Sequence, residues 1–217
     1  MAIDKSHSKP WVKTLAIILS VALIFGLSAL AFLPELFPAS STTTGTTTTG
    51  QASANSTATI DATYKARVDA TAQQLTAKPN DYTLLVAQAG NYQEWASQIA
   101  DASGKGPGGA DMAYWPLAID LFKKALAIKP GDPGVQTNLG LCYLYSGDVT
   151  TAITTIEAVT KADPTFSQPF YFLGRAYAGG GQKDKALTAF KAYLKLDPTG
   201  EFVADTNKYI SELQAAK

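Results

Sequence analysis

The stretch SQPFYFLGRAYAGGGQKDKALTAFKAYLKLDPTG, residues 167–200, decides the fold. Its first part, Pro169 to Tyr177, has the length and apolar content of a short helix. Gly179-Gly180-Gly181 ends it, since each glycine costs a helix about 1 kcal/mol relative to alanine. Beyond the glycines, Ala186, Leu187, Phe190, Tyr193 and Leu194 recur at steps of three and four, which puts them on one helical face. Asp197-Pro198 stops this second helix, because proline disfavours helical geometry in the residue before it. The unit reads helix, turn, helix, stop.

The unit before it, residues 133–166, has the same grammar. Leu139, Gly140, Tyr143 and Leu144 mark its first helix, Gly147-Asp148 the turn, Ala152, Ile153, Ile156 and Val159 the second helix, and Asp163-Pro164 the end. The two units are in register at a step of 34 residues: Pro130, Pro164 and Pro198; Gly140 and Gly174; Ala118, Ala152 and Ala186; Phe122, Ile156 and Phe190. A fixed period in this range means stacked supersecondary units, each unable to bury its apolar face alone. The predicted fold class is therefore all-α, an α-solenoid of helix-turn-helix repeats. Small residues at the glycine and alanine positions let paired helices approach closely, and the aromatic and branched positions fill the space between pairs.

The pattern Leu139-Gly140-x-x-Tyr143…Gly147…Ala152…Ile156…Pro164, then Leu173-Gly174-x-x-Tyr177…Gly181…Ala186…Phe190…Pro198, closely resembles the tetratricopeptide repeat, whose period is 34. The departures are Ile156 for the aromatic, and Gln136 or Phe170 where that family often has tryptophan. An earlier copy is interrupted. Lys78-Pro79 reads as a repeat end, and Pro130 follows 51 residues later, which is 34 plus 17. Its first helix holds Leu84, Leu85, Ala89, Tyr92 and Trp95, its second Trp115, Ala118, Ile119, Phe122, Ala125 and Leu126, with an insertion at about 97–112. The run Asp101 to Gly109 is predicted to be too glycine-rich for helix. A helix carrying Tyr64, Val68, Thr71, Ala72 and Leu75 precedes it. A final amphipathic helix carrying Phe202, Val203, Thr206, Tyr209, Ile210 and Leu213 caps the stack, whose last face would otherwise aggregate. The repeat-like domain is expected to span 61–217.

No residue from Thr14 to Leu33 is charged. Residues 12–33 would make a helix of about 33 Å, enough to cross a hydrocarbon core of about 30 Å. Lys5, Lys9 and Lys13 flank its start and Glu35 is the next charge after it, so the positive-inside bias leaves 1–11 in the cytoplasm and exports the rest. The expectation is a single-pass signal anchor in the cytoplasmic (inner) membrane, with the repeat domain extracytoplasmic. Cleavage after Ala29-Leu30-Ala31 is the alternative and also exports the domain, although the apolar run exceeds the roughly 7–15 residues of a signal core. Residues 34–60 are expected to be a Ser/Thr/Gly-rich linker, too poor in apolar side chains to fold.

The chain has 18 basic and 18 acidic residues, and no cluster of Lys and Arg follows residue 13, which argues against nucleic acid as a partner. Its one histidine, His7, precedes the apolar segment, and its one cysteine, Cys142, sits within a repeat helix. That removes histidine-based acid–base chemistry and His/Cys metal sites from the repeat domain. Ser103-Gly104-Lys105-Gly106 lacks the Gly-Lys-Ser/Thr ending of a phosphate loop. No catalytic residue, metal ligand or cofactor is expected, and the chain is not expected to be an enzyme.

What the resemblance implies is a concave groove lined by the first helices of successive repeats. The family's groove-facing positions fall on Thr137, Leu141, Leu144 and Tyr145 in one repeat and on Tyr171, Arg175 and Ala178 in the next. In the interrupted repeat they fall on Val86, Gly90 and Gln93. The paired Lys and Asn with which some members grip a carboxylate are replaced here by Thr137 and Leu141, so the groove suits an apolar or aromatic segment, with Arg175 for one carboxylate or a ring. The structural repeat positions are Gly140, Tyr143, Ala152, Pro164, Gly174, Tyr177, Ala186, Phe190 and Pro198.

The layout resembles bacterial membrane-anchored tetratricopeptide proteins. The expected function is a non-catalytic, membrane-tethered scaffold or adaptor that holds a protein or peptide partner and assembles a complex at the outer face of the cytoplasmic membrane. Alternatives are a cleaved, secreted binding module, an accessory factor in secretion, chaperone or cytochrome c maturation machinery, and a structural protein that self-associates into a homo-oligomer.

Overall fold

The computed structural model describes residues 49–104 and 109–215, with side chains from 57 onward. Eight α-helices follow one another among the described residues: α1 Thr49–Ala77, α2 Tyr82–Ser103, α3 Trp115–Ile128, α4 Pro133–Tyr145, α5 Val149–Ala162, α6 Gln168–Gly179, α7 Lys183–Leu196 and α8 Val203–Ala215. A short 3-10 turn, Ala110–Ala113, leads into α3. Among the described residues there is no strand.

Local chemistry sets the boundaries. Helices α1, α3, α5 and α7 each end before a proline, namely Pro79, Pro130, Pro164 and Pro198. Asp81, Asp132 and Asp148 cap α2, α4 and α5, each carboxylate accepting the N–H three residues on, at 3.1 Å. The reversals after α4 and α6 turn on Gly147 (φ 90°) and Gly181 (φ 70°), a left-handed conformation that side-chain-bearing residues rarely adopt.

The helices pack as pairs: α2 with α3, α4 with α5, and α6 with α7, with α1 against α2 and α8 against α7. Gly140 and Gly174 are the points of closest approach. A Cβ on Gly140 would sit 2.3 Å from Ile156 Cγ1, and one on Gly174 would sit 2.6 Å from the Phe190 ring. Ala152, Ala186, Ile156 and Phe190 are fully buried. Pro164 and Pro198 are exposed, so their part in the repeat is to end helices.

Two expectations are corrected. The insertion is part helix, because α2 continues through Asp101-Ala102-Ser103 before Gly104 ends it at φ 64°. The apolar rhythm of Trp95, Ala96, Ile99 and Ala100 continues past the predicted helix end, and Trp95 and Ile99 find partners in Val68, Ile60 and Tyr64 on the long α1. Likewise α1 begins at Thr49, inside the stretch expected to be linker. The run from Gln51 to Ile60 holds no Gly or Pro to stop a helix growing back from the anchored part, where Trp95 Nε1–H donates to Asp61 at 2.8 Å. No helix among the described residues is long and apolar enough to cross a membrane. The predicted anchor at 12–33 and most of the predicted linker lie outside the described residues.

Asp132 ties the first two pairs together. Besides capping α4 it accepts the Tyr82 hydroxyl at 2.7 Å and pairs with Lys129 at 3.0 Å. The Tyr82 hydrogen bond, then the Val135 N–H and Lys129, hold its carboxyl down at about 2. A depressed folded pKa gives stability that is present above the unfolded carboxylate value, about 4, and is lost as pH falls from there toward 2. With partial exposure screening the effect, Asp132→Asn is expected to cost on the order of 1 kcal/mol at pH 7 and almost nothing at pH 2. Urea unfolding at both pH values measures this, and a pH-independent cost would contradict it.

Candidate partner-binding groove

The first helices α2, α4 and α6 carry the predicted groove positions, and Arg175 on α6 organises the described site. Its guanidinium lies 5.0 Å from the ring centre of Tyr145, 5.8 Å from Tyr171 and 5.7 Å from Tyr209. Tyr145 in turn stacks on Trp115 at 5.0 Å. Tyr171 stacks nearly parallel on Phe202 at 4.3 Å. Burial pushes Tyr171 up to about 12 and raises Tyr145 as well, so these two hydroxyls stay protonated at ordinary pH. Among the described residues no carboxylate pairs with Arg175. The half-buried guanidinium lies on aromatic faces and donates to the Tyr145 hydroxyl, with no carboxylate of the described residues against it.

The other predicted positions divide by burial. Thr137 is fully buried and donates its hydroxyl to the Pro133 carbonyl, and Leu141 is buried in the core of the last two pairs. Tyr171 is only 2 % exposed and packs on Phe172, Phe190, Tyr193 and Phe202. Leu144, Tyr145, Arg175 and Ala178 are half-buried, so these four keep part of their surface exposed. In the interrupted repeat Val86, Gly90 and Gln93 are half-buried. Gln93 accepts a weak bond from the Cys142 thiol at 3.8 Å. Burial raises the Cys142 thiol far above its ordinary value, so it behaves as a small core hydrophobe.

Tyr209 is a neighbour of Arg175 that the sequence reading missed. The signal was the period itself: Leu141, Arg175 and Tyr209 fall 34 apart, as do Thr137, Tyr171 and Asp205. The cap α8 is a first helix without its second, and so it continues the groove by one more row.

Residues 115–169 match a tetratricopeptide repeat model, and residues 167–199 match a second one. Residues 115–199 thus carry tetratricopeptide repeats, a class of generally non-catalytic interaction modules. Among solved structures the fold is similar to a crystal structure of MamA, with TM-score 0.50, 18 % identity, 70 % of this chain covered and 86 % of that one. It is also similar to the Sgt2 TPR domain from Aspergillus fumigatus, with TM-score 0.45, 22 % identity, and 56 % and 76 % of the two chains covered. The TPR2B domain of yeast Sti1, solved as a complex with pHsp70, gives TM-score 0.46, 15 % identity, and 58 % and 98 % coverage. No curated protein matches the sequence.

Proposed function

We propose that this protein is a non-catalytic scaffold, tethered to the cytoplasmic membrane by residues 12–33, whose repeat groove holds a protein or peptide partner at the outer face. The observation that carries the groove reading is Arg175, a cation set among Tyr145, Tyr171 and Tyr209 that pairs with no carboxylate among the described residues. A peptide carboxylate or an acidic side chain supplies the acceptor, and Leu144 and Ala178 offer apolar contact beside it. Support for the tether is the uncharged run from Thr14 to Leu33 behind Lys5, Lys9 and Lys13.

The test is a pull-down from native membranes with the full-length protein as bait. Arg175→Gln is chosen because Arg175 is only half-buried, whereas truncating the core residue Tyr171 would disturb folding. Recovery of the partner is expected to fall about tenfold, a loss of roughly 1.4 kcal/mol, with the unfolding midpoint nearly unchanged. Equal recovery by a folded Arg175→Gln bait would remove the groove reading. A bait mass lacking the first 31 residues would replace the tethered reading with that of a secreted module.

A further inference from the structure

One polar side chain in the repeat core breaks the pattern around it. Allowing for the 17-residue insertion, Gln88 on α2 takes the place of Leu139 and Leu173, just as Ala89 takes that of Gly140 and Gly174, and Tyr92 that of Tyr143 and Tyr177. Gln88 is 4 % exposed, and its side-chain oxygen is buried without a hydrogen-bond partner. A leucine there would pack and ask for nothing. A carboxamide oxygen asks for a donor.

Gln88 lines a cleft of about 420 Å³ between α1, α2 and α3, walled by Ala72, Leu75, Tyr92 and Leu117, with Thr76 and Asp120 at its polar points. Those polar points are acceptors. Thr76 donates its hydroxyl proton to the Ala72 carbonyl at 3.0 Å and offers only lone pairs. Asp120 brings a carboxylate whose contact with Lys124 is an exposed pair, readily exchanged.

The neighbouring repeats indicate what such a place takes. Over Tyr143 lies the ammonium of Lys123, 5.6 Å from the ring centre, and over Tyr177 that of Lys185, at 5.3 Å. At the corresponding positions around Tyr92 stand Ala72 on α1 and Leu117 on α3. Among the described residues no cation lies over Tyr92.

We propose that this cleft receives the lysine side chain of a partner protein. The ammonium brings three donors to a lining of acceptors and a cation to the Tyr92 ring, while its methylene stem lies along Leu75 and Leu117. A polypeptide rather than a small amine is the occupant because Leu117, 44 % exposed, forms an apolar shoulder that only a larger partner covers.

The probe is acetyl-Leu-Lys-Leu-amide, titrated into the full-length protein and followed by backbone amide resonances, with its norleucine counterpart and n-hexylamine as comparisons. Saturable shifts are expected for residues 72–76, 88–92 and 117–121. Binding should be at least fivefold tighter than that of either comparison, and at least fivefold weaker in Gln88→Leu, whose unfolding midpoint stays level or rises. Equal affinity for the lysine and norleucine peptides, absence of saturable shifts, or unchanged binding by Gln88→Leu overturns the proposal. Hexylamine binding as tightly as the peptide overturns the assignment to a protein partner. Should Gln88→Leu fail to fold, the exposed Asp120→Asn gives the same reading through loss of the lysine preference.

Discussion

Gly174→Ala lowers the thermal unfolding midpoint by about 4–8 °C, the shift expected for roughly 2 kcal/mol in a domain of this size. A methyl group at this position would come within 2.6 Å of two ring carbons of Phe190, which is itself fully buried against Tyr171 and Tyr209. Overpacking this close costs about 3 kcal/mol, the upper end of its usual range, and the roughly 1 kcal/mol by which alanine favours a helix offsets only part of it. The sign depends on the close approach and not on the residue type. Gly90 on α2 is helical too, but a Cβ there meets nothing within 4 Å. Gly90→Ala should therefore raise the midpoint, by about 2 °C for some 0.5–1 kcal/mol. Combining Gly174→Ala with Phe190→Leu should recover part of the loss. Calorimetry of these three variants beside the parent decides, and a stabilising Gly174→Ala would show that the α6–α7 pair is not held by this contact.

Trp115→Ala is the second large effect, with an expected loss of about 3–5 kcal/mol. Trp115 is fully buried at the start of α3, stacked on Tyr145, and its Nε1–H donates to the buried Asp111 carboxylate at 3.1 Å. That carboxylate also accepts the Gly109 N–H, so it fixes the return from the insertion into the repeat. Trp115→Phe keeps most of the apolar volume and removes one donor from a buried acceptor, which costs about 1–3 kcal/mol. Urea unfolding monitored by circular dichroism measures both. A Trp115→Ala loss below that of Trp115→Phe would place the stabilisation in the Asp111 bond and not in the packing.

Most of the architecture was legible in the residues because the repeat is written in residues with one conformational meaning. Prolines 34 apart end helices, Gly147 and Gly181 turn the chain with positive φ, and Ala152 and Ala186 are fully buried. The insertion was misjudged where composition stopped being decisive. Asp101-Ala102-Ser103 carries no strong preference, and it is helical because Ile99 and Ala100 just before it are buried. The site was half legible. The resemblance pointed to Arg175 but left open which neighbours are available, because Thr137 and Tyr171 face the core for reasons of tertiary packing. Tyr209 followed the same period, yet reading α8 only as a cap hid its place beside Arg175.

The distribution of tryptophan gives this molecule a built-in spectroscopic asymmetry. Of the three tryptophans, Trp11 lies outside the described residues, while Trp95 and Trp115 both belong to the α2–α3 pair. The later pairs hold aromatic rings of tyrosine and phenylalanine alone. Indole emission from the described residues thus reports the first pair, whereas far-ultraviolet ellipticity sums every helix. In a stack whose units touch only their neighbours, melting can begin at one end. Two optical signals recorded on one sample then time the two ends separately: superimposable curves mean that the 34-residue units melt together, and an offset gives the order in which they part.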